Sequence, residues 1–263
     1  MGSCRSWVLA VALVVGVAAG ARAEAARPGG LAVAAAADLR FAMDEIVAAF
    51  RRTRPDVAVT VTYGSSGQFA SQLANGAPFD VFFSADAELP RQLAAQGLVL
   101  EGSEFLYGVG RIVLWVPRAS GLDVRRLGAG TLREPAVHHV AIANPRHAPY
   151  GRAAEAALQS LGLAEAVRDK LVLGENAAQT AQLVQSGAAE VGVIALALAL
   201  APALRAEGEY WPVPLDAYPR MDQGGVIMKT ARDPGLARAF CAFVLGPSGR
   251  ATLERWGFSP PRK

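Results

Sequence analysis

Two adjacent serines, Ser65 and Ser66, lie between glycines in the run YGSSG, directly before a helical pattern of apolar residues. The alternating residues 57–61 before them predict a strand, so the serines occupy a strand-to-helix turn. A serine hydroxyl both donates and accepts hydrogen bonds, and it rotates to suit its partner. The start of a helix adds unpaired N–H groups and about half a positive charge. This turn is therefore predicted to bind an anion without a cationic side chain.

Three other strand-to-helix turns are also built mainly from small, polar or proline residues. Strand-like runs also precede residues 37–38, 144–151 and 175–177, and helical patterns follow them. In open α/β sheets, ligands bind beside the carboxyl ends of the strands, where such turns lie. The alternative is that each polar residue only caps its own helix, since Ser, Asp and Asn are favoured caps. Asp38 and Asn176 fit that alternative whether or not they also contact a ligand.

The residue patterns of several enzyme classes are missing. The glycine-rich turn has neither the lysine of a phosphate loop nor the glycine spacing of a dinucleotide site, and no G-x-S-x-G elbow occurs. His138 and His139 are adjacent in a strand and point to opposite faces, which argues against a shared metal. An exported hydrolase with Ser66 as nucleophile stays open as an alternative, with His147 as its base. We predict no cofactor and no bare metal cation.

Strand-like and helical runs alternate along the chain, which predicts an α/β fold with largely parallel sheets. The strand runs are apolar on both faces, as in sheets covered by helices. The runs RIVLWVP and GGVIMK are interpreted as segments that cross between two lobes. Residues 31–110 plus 225–263 would then form lobe 1, and residues 111–224 would form lobe 2. The segment PVPLDAYPRMDQGG, rich in proline and glycine, is predicted to be a crossing segment or a loop.

Residues 1–23 have the pattern of a secretory signal peptide. The apolar run 7–19 follows Arg5 and precedes the small-x-small sequence ARA at residues 21–23. The run is short for a membrane span, although a membrane anchor is the alternative. We expect cleavage after Ala23, with Ala25 as a second possible site, and a soluble, unanchored protein in the periplasm.

The mature chain would be almost neutral. Cleavage removes two of the 26 basic residues and leaves the 23 acidic residues in place. Since no basic run remains, the charge distribution argues against a nucleic-acid partner.

Six motifs stand in a specific order along the chain: AAAADLRFAM, YGSSGQFASQ, NGAPFDVFFSAD, NPRHAPYGRAAEAAL, GENAAQTAQLVQSGAAEVGVIAL and LGPSGRATLERWGF. Together they resemble the periplasmic molybdate-binding proteins of molybdate ABC importers, over essentially the whole mature chain. The resemblance implies the two-lobed, type II periplasmic-binding-protein fold, whose cleft closes on a tetrahedral oxyanion.

The same resemblance implies a function and a partner. It indicates a protein without enzymatic activity that captures molybdate, and also tungstate, for the membrane permease of an ABC importer. We expect it to be a monomer. A binding protein for another anion, such as sulfate or a small carboxylate, is the alternative within this class.

The resemblance also implies which residues bind the oxyanion. Ser66 would donate its hydroxyl and its amide, and Tyr150 and Ala177 would donate mainly backbone N–H groups. The full predicted set is Ala37, Asp38, Ser65, Ser66, Tyr150 and Ala177.

Two positions depart from the family pattern. Asp38 stands where family members commonly have Ser or Asn, and Ala195 stands where some members have a tyrosine donor. Unit charges about 4 Å apart repel by about 4 kcal/mol in a partly screened site. Asp38 is therefore expected to turn its carboxylate onto its own helix and to offer only its N–H group; a different ligand is the alternative. Tyr63 and the Tyr150 side chain are candidates to replace the missing hydroxyl.

Overall fold

The computed structural model describes residues 30–261, and these residues contain two five-stranded sheets. The predicted signal peptide, residues 1–23, lies outside the described residues. The strands are β1 (Gly30–Ala36), β2 (Ala58–Gly64), β3 (Val81–Ser84), β4 (Phe105–Gly110), β5 (Ile112–Pro117), β6 (Val140–Ala143), β7 (Leu171–Gly174), β8 (Val191–Ala195), β9 (Gly208–Pro212) and β10 (Met221–Ile227).

The helices cover the faces of these sheets. They are α1 (Arg40–Thr53), α2 (Ser66–Ala74), α3 (Glu88–Ala95), α4 (Val124–Leu127), α5 (Pro149–Ser160), α6 (Ala164–Val167), α7 (Ala177–Gln185), α8 (Leu196–Ala199), α9 (Pro202–Glu207), α10 (Pro234–Leu245) and α11 (Pro247–Arg255). A short 3-10 turn, Ala37–Leu39, joins β1 to α1. Within residues 30–261, no helix combines the length and the hydrophobicity needed to cross a membrane.

Each lobe contains one sheet. Lobe 1 has the strand order β2-β1-β3-β10-β4, and lobe 2 has the order β7-β6-β8-β5-β9. Strand β1 runs parallel to β2 and β3, and β6 runs parallel to β7 and β8. Strands β10 and β5 are antiparallel to both of their neighbours. In each sheet four of the five strands therefore run in one direction, as predicted, and only β10 in lobe 1 and β5 in lobe 2 run against them.

Burial follows the residue pattern. All four residues of β3 and all four of β6 are buried, as expected for strands with helices on both faces. Helix α1 buries only one stripe, at helical spacing, and this stripe packs in the core of lobe 1. The apolar patterns of the strands and of the helices thus account for the burial in the sheet layer and in the helix layer.

The chain crosses between the lobes at two places. A single residue, Arg111, separates β4 from β5, and residues 213–220 lead from β9 back to β10. The segment PVPLDAYPRMDQGG was predicted to be a crossing segment or a loop; residues 213–220 do cross between the lobes, whereas its last five residues, from Met221, belong to β10. Its glycines serve close packing: a Cβ on Gly225 would lie 2.5 Å from the Phe105 ring and 2.6 Å from the Phe82 carbonyl oxygen.

Candidate functional site

The N-terminus of α2, in lobe 1, contacts lobe 2 directly. The Ser65 hydroxyl donates to the carbonyl oxygen of His147 at 2.7 Å, and the Gly67 N–H donates to the same oxygen at 2.9 Å. Next to them, Gln68 Nε2 donates to Glu175 Oε2 at 3.0 Å. These bonds join α2 to the loop before α5 and to the turn before α7, so the two lobes are closed on each other at this point.

Ser65 holds the lobes together and does not cap its helix. It occupies the N-cap position of α2, but its side chain accepts no hydrogen bond from that helix. The hydroxyl bonds to His147 instead, whose Nδ1 also lies 3.0 Å from Ser65 Oγ. The hydrolase alternative requires His147 to contact Ser66, and in the described part of the chain His147 contacts Ser65.

Ser66 lies at the start of α2. Its side chain is buried, and its Oγ accepts a hydrogen bond from the Ala85 N–H at 3.0 Å. That bond uses a lone pair and leaves the hydroxyl hydrogen to donate elsewhere. Ser66 is also the first residue of the helix, so its own N–H has no partner within the helix.

Two helices of lobe 2 begin at the other predicted donors. Pro149 starts α5 and has no N–H, so Tyr150 provides the first donor of that helix. Ala177 is the first residue of α7, and both it and Tyr150 are buried. The side chain of Asn176 accepts from the Gln179 N–H at 3.0 Å, which confirms that Asn176 caps α7. This cap leaves the Ala177 N–H unused by the helix.

Asp38 does not turn onto its own helix as expected. Its Oδ2 accepts from the Tyr150 hydroxyl at 2.8 Å and from Gln223 Nε2 at 2.9 Å, and the 3-10 turn that contains it has no side-chain cap. The carboxyl group therefore reaches across the cleft to α5 and along its own lobe to β10. The prediction failed because a hydroxyl and an amide, distant in sequence, satisfy one carboxyl oxygen better than a short turn does.

Burial dominates the electrostatics of this cluster. Asp38 is only 1% exposed, and burial raises the pKa of its carboxyl above the ordinary value, although the Gln223 and Tyr150 hydrogen bonds lower it in part. The nearby N–H groups of Asp38 and Leu39 also lower this pKa, but neither reaches hydrogen-bonding geometry, and Asp38 Oδ1 has no partner. Burial and the negative charge of Asp38 raise the pKa of Tyr150 well above its usual value.

Gln223 and Gly110 also belong to this cluster, although neither was among the predicted site residues. Gln223 is fully buried and its Nε2 also lies 3.2 Å from the Tyr150 hydroxyl, but it falls in the segment predicted to be a crossing segment or a loop. A Cβ on Gly110 would lie 2.5 Å from Gln223 Nε2 and 2.6 Å from the Tyr150 hydroxyl. Glycine is therefore required where β4 ends, because any side chain there would displace the cluster. A glycine inside a strand pattern was the one signal available for it.

The other predicted positions supply no extra hydroxyl. Ala37 and Ala195 are buried, and neither side chain has a polar atom. The Tyr63 hydroxyl donates to Asp44 Oδ1 at 2.6 Å, and the Tyr150 hydroxyl donates to Asp38. Both candidates for replacing the missing tyrosine donor are thus engaged with carboxylates.

The donors identified at these helix starts are neutral. They are backbone N–H groups at helix starts and the hydroxyl of Ser66, a set that suits an oxyanion. Among the residues that the structure describes, no three His, Cys, Asp or Glu side chains form a cluster able to hold a metal ion.

Comparison with known proteins agrees with this geometry. The molybdate-binding protein ModA of Azotobacter vinelandii is 37% identical over 246 residues, which cover 94% of this chain and 96% of that protein. ModA of Rhodobacter capsulatus is 35% identical over 254 residues, with 97% and 96% covered.

A solved structure gives the same result for the fold. The periplasmic molybdate-binding protein of Azotobacter vinelandii matches with a TM-score of 0.81 and 33% identity, over 88% of this chain and all of that one. The predicted two-lobed periplasmic-binding-protein fold is thereby confirmed. Residues 31–259 match the family model for bacterial extracellular solute-binding proteins. This chain belongs to the family of bacterial extracellular solute-binding proteins.

Proposed function

We propose that this protein captures molybdate in the periplasm and delivers it to the membrane permease of an ABC importer, without catalysing a reaction. The observation that carries the proposal is the meeting of buried helix starts from both lobes. Ser66 contributes from lobe 1, and Tyr150 and Ala177 contribute from lobe 2. Donors from both sides of a cleft favour closure around a ligand, and neutral donors favour an anion.

The proposed site comprises Ala37, Asp38, Ser65, Ser66, Tyr150 and Ala177. Ser66, Tyr150 and Ala177 would donate directly, while Ser65 would act on closure through its bond to His147. Hydrogen bonds to a charged group contribute about 1.5–3 kcal/mol each. Five or six of them reach micromolar affinity or better once the costs of binding are subtracted, since 1 μM corresponds to about −8 kcal/mol.

Tungstate is proposed as a second ligand because it has the same charge and tetrahedral shape as molybdate. Sulfate is smaller, so its oxygens would not reach donors on both sides of the cleft at once. Discrimination would then depend on the size of the closed cavity, since a shared charge gives no basis for it.

The proposal includes where the protein is located and how its chain is divided into lobes. The secretory pattern of residues 1–23 supports export and cleavage after Ala23. We propose a monomer with the predicted lobes, residues 31–110 plus 225–263 and residues 111–224. The position of β10 in the lobe 1 sheet supports a start at Met221 for the second part of lobe 1.

The decisive test is calorimetric titration of the purified mature protein with molybdate, tungstate and sulfate. We expect tight binding of the first two and much weaker binding of sulfate. X-ray scattering should show a smaller radius of gyration after molybdate is added, since the lobes close on the ligand. A protein that ignores molybdate and tungstate at millimolar concentration, or that hydrolyses a panel of chromogenic esters, would contradict the proposal.

A further inference from the structure

We propose that Asp38 binds the oxyanion as a protonated carboxyl, so that each oxyanion enters the site together with one proton. This inference rests on the proposed capture of molybdate. The proton comes from solvent and joins Asp38 Oδ1, and no bond within the oxyanion forms or breaks.

The two oxygens of the Asp38 carboxyl have different surroundings. Oδ2 accepts from the Tyr150 hydroxyl at 2.8 Å and from Gln223 Nε2 at 2.9 Å, so its lone pairs are used. Oδ1 is equally buried but has no hydrogen-bond partner. A buried carboxylate oxygen without a partner is costly, and a proton on Oδ1 turns it into a donor that an oxyanion oxygen can satisfy.

The groups that face Asp38 do not balance a negative charge. Tyr150 faces it from α5, Tyr107 from β4 and Gln223 from β10, and none of these side chains is a cation. The Tyr107 hydroxyl donates to the Ser84 carbonyl oxygen at 3.0 Å. Burial, followed by the charge of Asp38, raises the pKa of both tyrosines well above the usual value, so they stay neutral.

A dianion beside an ionised Asp38 would place three negative charges in a closed, buried site. Coulomb repulsion at these short distances is large in a poorly screened environment. Protonation of Asp38 removes this repulsion and adds one donor. Burial already raises the pKa of this carboxyl in the closed protein, and a nearby dianion raises it further.

Because a proton is taken up on binding, the affinity for molybdate should fall as the pH rises. Between the pKa of Asp38 in the ligand-free protein and its higher pKa in the complex, the affinity for molybdate should fall about tenfold for each unit of pH. Below the ligand-free pKa, the affinity should be constant, because the proton is already bound. Asp38→Asn replaces the O–H donor with an N–H donor that does not titrate, so its affinity should not follow this dependence.

The experiment counts protons by titrating the protein with molybdate in buffers of different ionisation enthalpy. At a pH between the two pKa values, wild-type protein should take up close to one proton per molybdate, and Asp38→Asn should take up none. Asp38→Asn should also bind more tightly than wild-type protein at this pH. Asp86→Asn is the matched control, because Asp86 also bonds across the cleft, to Arg152, but is partly exposed. It should keep the uptake of one proton.

The outcomes separate the inference from the proposed function. Wild-type protein that binds molybdate tightly without taking up a proton overturns the inference and leaves the function intact. Uptake that persists in Asp38→Asn also overturns it. Failure of wild-type protein to bind molybdate at any pH overturns both. If Asp38→Asn does not fold, the proton count and the pH dependence of the wild-type protein still decide.

Discussion

The hydroxyl of Tyr150 donates to the carboxyl of Asp38 at 2.8 Å, across the cleft and between residues 112 positions apart in the chain. Tyr150 belongs to the first turn of α5 in lobe 2, and Asp38 follows β1 in lobe 1. The backbone of each residue lies at a turn where an oxyanion is proposed to bind. Their side chains therefore couple the state of the acid to the closure of the lobes.

Gly67→Ala should prevent closure. A Cβ at this position would lie 2.4 Å from the carbonyl oxygen of His147 and 3.0 Å from its Cα, both in the opposite lobe. Alanine is favoured over glycine within a helix by up to about 1 kcal/mol, so lobe 1 itself should stay stable. We expect molybdate affinity to fall at least tenfold, roughly 1.4 kcal/mol, and the radius of gyration to stay at its ligand-free value.

Gly130→Ala is the control for this variant, since a Cβ there would meet no atom within 4 Å. It should bind molybdate and contract as wild-type protein does. A Gly67→Ala protein with unchanged affinity would show that the contact between α2 and His147 is not part of the ligand-bound state.

Ser66→Ala should weaken both binding and folding. Loss of one hydrogen bond to a charged ligand costs about 1.5–3 kcal/mol, or roughly tenfold to a hundredfold in affinity. The Ala85 N–H also loses its buried acceptor, which should lower the free energy of unfolding without ligand by about 1–3 kcal/mol. Calorimetry and urea denaturation measure the two effects separately.

Ser65→Ala is the matched comparison at the neighbouring position. It removes the bond to His147 and no direct ligand donor, so its loss of affinity should be smaller than that of Ser66→Ala. Equal affinity in Ser66→Ala and wild-type protein would contradict the assignment of Ser66 as a donor.

Asp38→Asn should stabilise the ligand-free protein increasingly as pH rises. Burial raises the folded-state pKa of Asp38 above 3.8, so the folded protein holds its proton more tightly than the unfolded chain does. The stability from Asp38 is therefore fully present below about pH 3.8 and is lost as pH rises through the folded pKa. The free energy of unfolding of the variant, minus that of wild-type protein, should grow from acid to neutral pH.

For Asp80→Asn, the free energy of unfolding relative to wild-type protein should change with pH in the opposite direction. Burial raises the pKa of Asp80, but hydrogen bonds from Arg232 and from the Ala32 N–H outweigh it and leave the pKa below 3.8. The stability from Asp80 is therefore present above pH 3.8 and lost as pH falls through the folded pKa. Urea denaturation at a series of pH values checks both variants, and slopes of the same sign would contradict these assignments.

The exported chain should begin near Glu24. The ARA sequence at residues 21–23 follows an apolar run that is short for a membrane span. N-terminal sequencing of protein recovered from the periplasm measures the cleavage site. A chain that keeps Met1 and stays in the membrane fraction would contradict the export prediction.

Much of the fold follows from local patterns in the sequence. Alternating and helical periodicities identified eight of the strands, and the helices that follow β1, β2 and β6 begin near the predicted positions. Strands β4 and β9 were missed, because glycine interrupts the pattern of β4, and β9 is only five residues long and runs from a glycine to a proline. The local pattern also placed the small polar residues of the candidate site at helix starts, since strand-to-helix turns have a recognisable composition.

The sequence by itself determined that small donors such as Ser66 lie at the N-termini of helices, because cap and turn preferences act over a few residues. Only the tertiary structure decided where Ser65 and Asp38 point. Ser65 bonds to a carbonyl oxygen 82 positions away, and Asp38 bonds to Gln223, 185 positions away. A buried polar group takes whichever partner packing brings within reach, and closure of the two lobes sets that partner, which neighbouring residues do not encode.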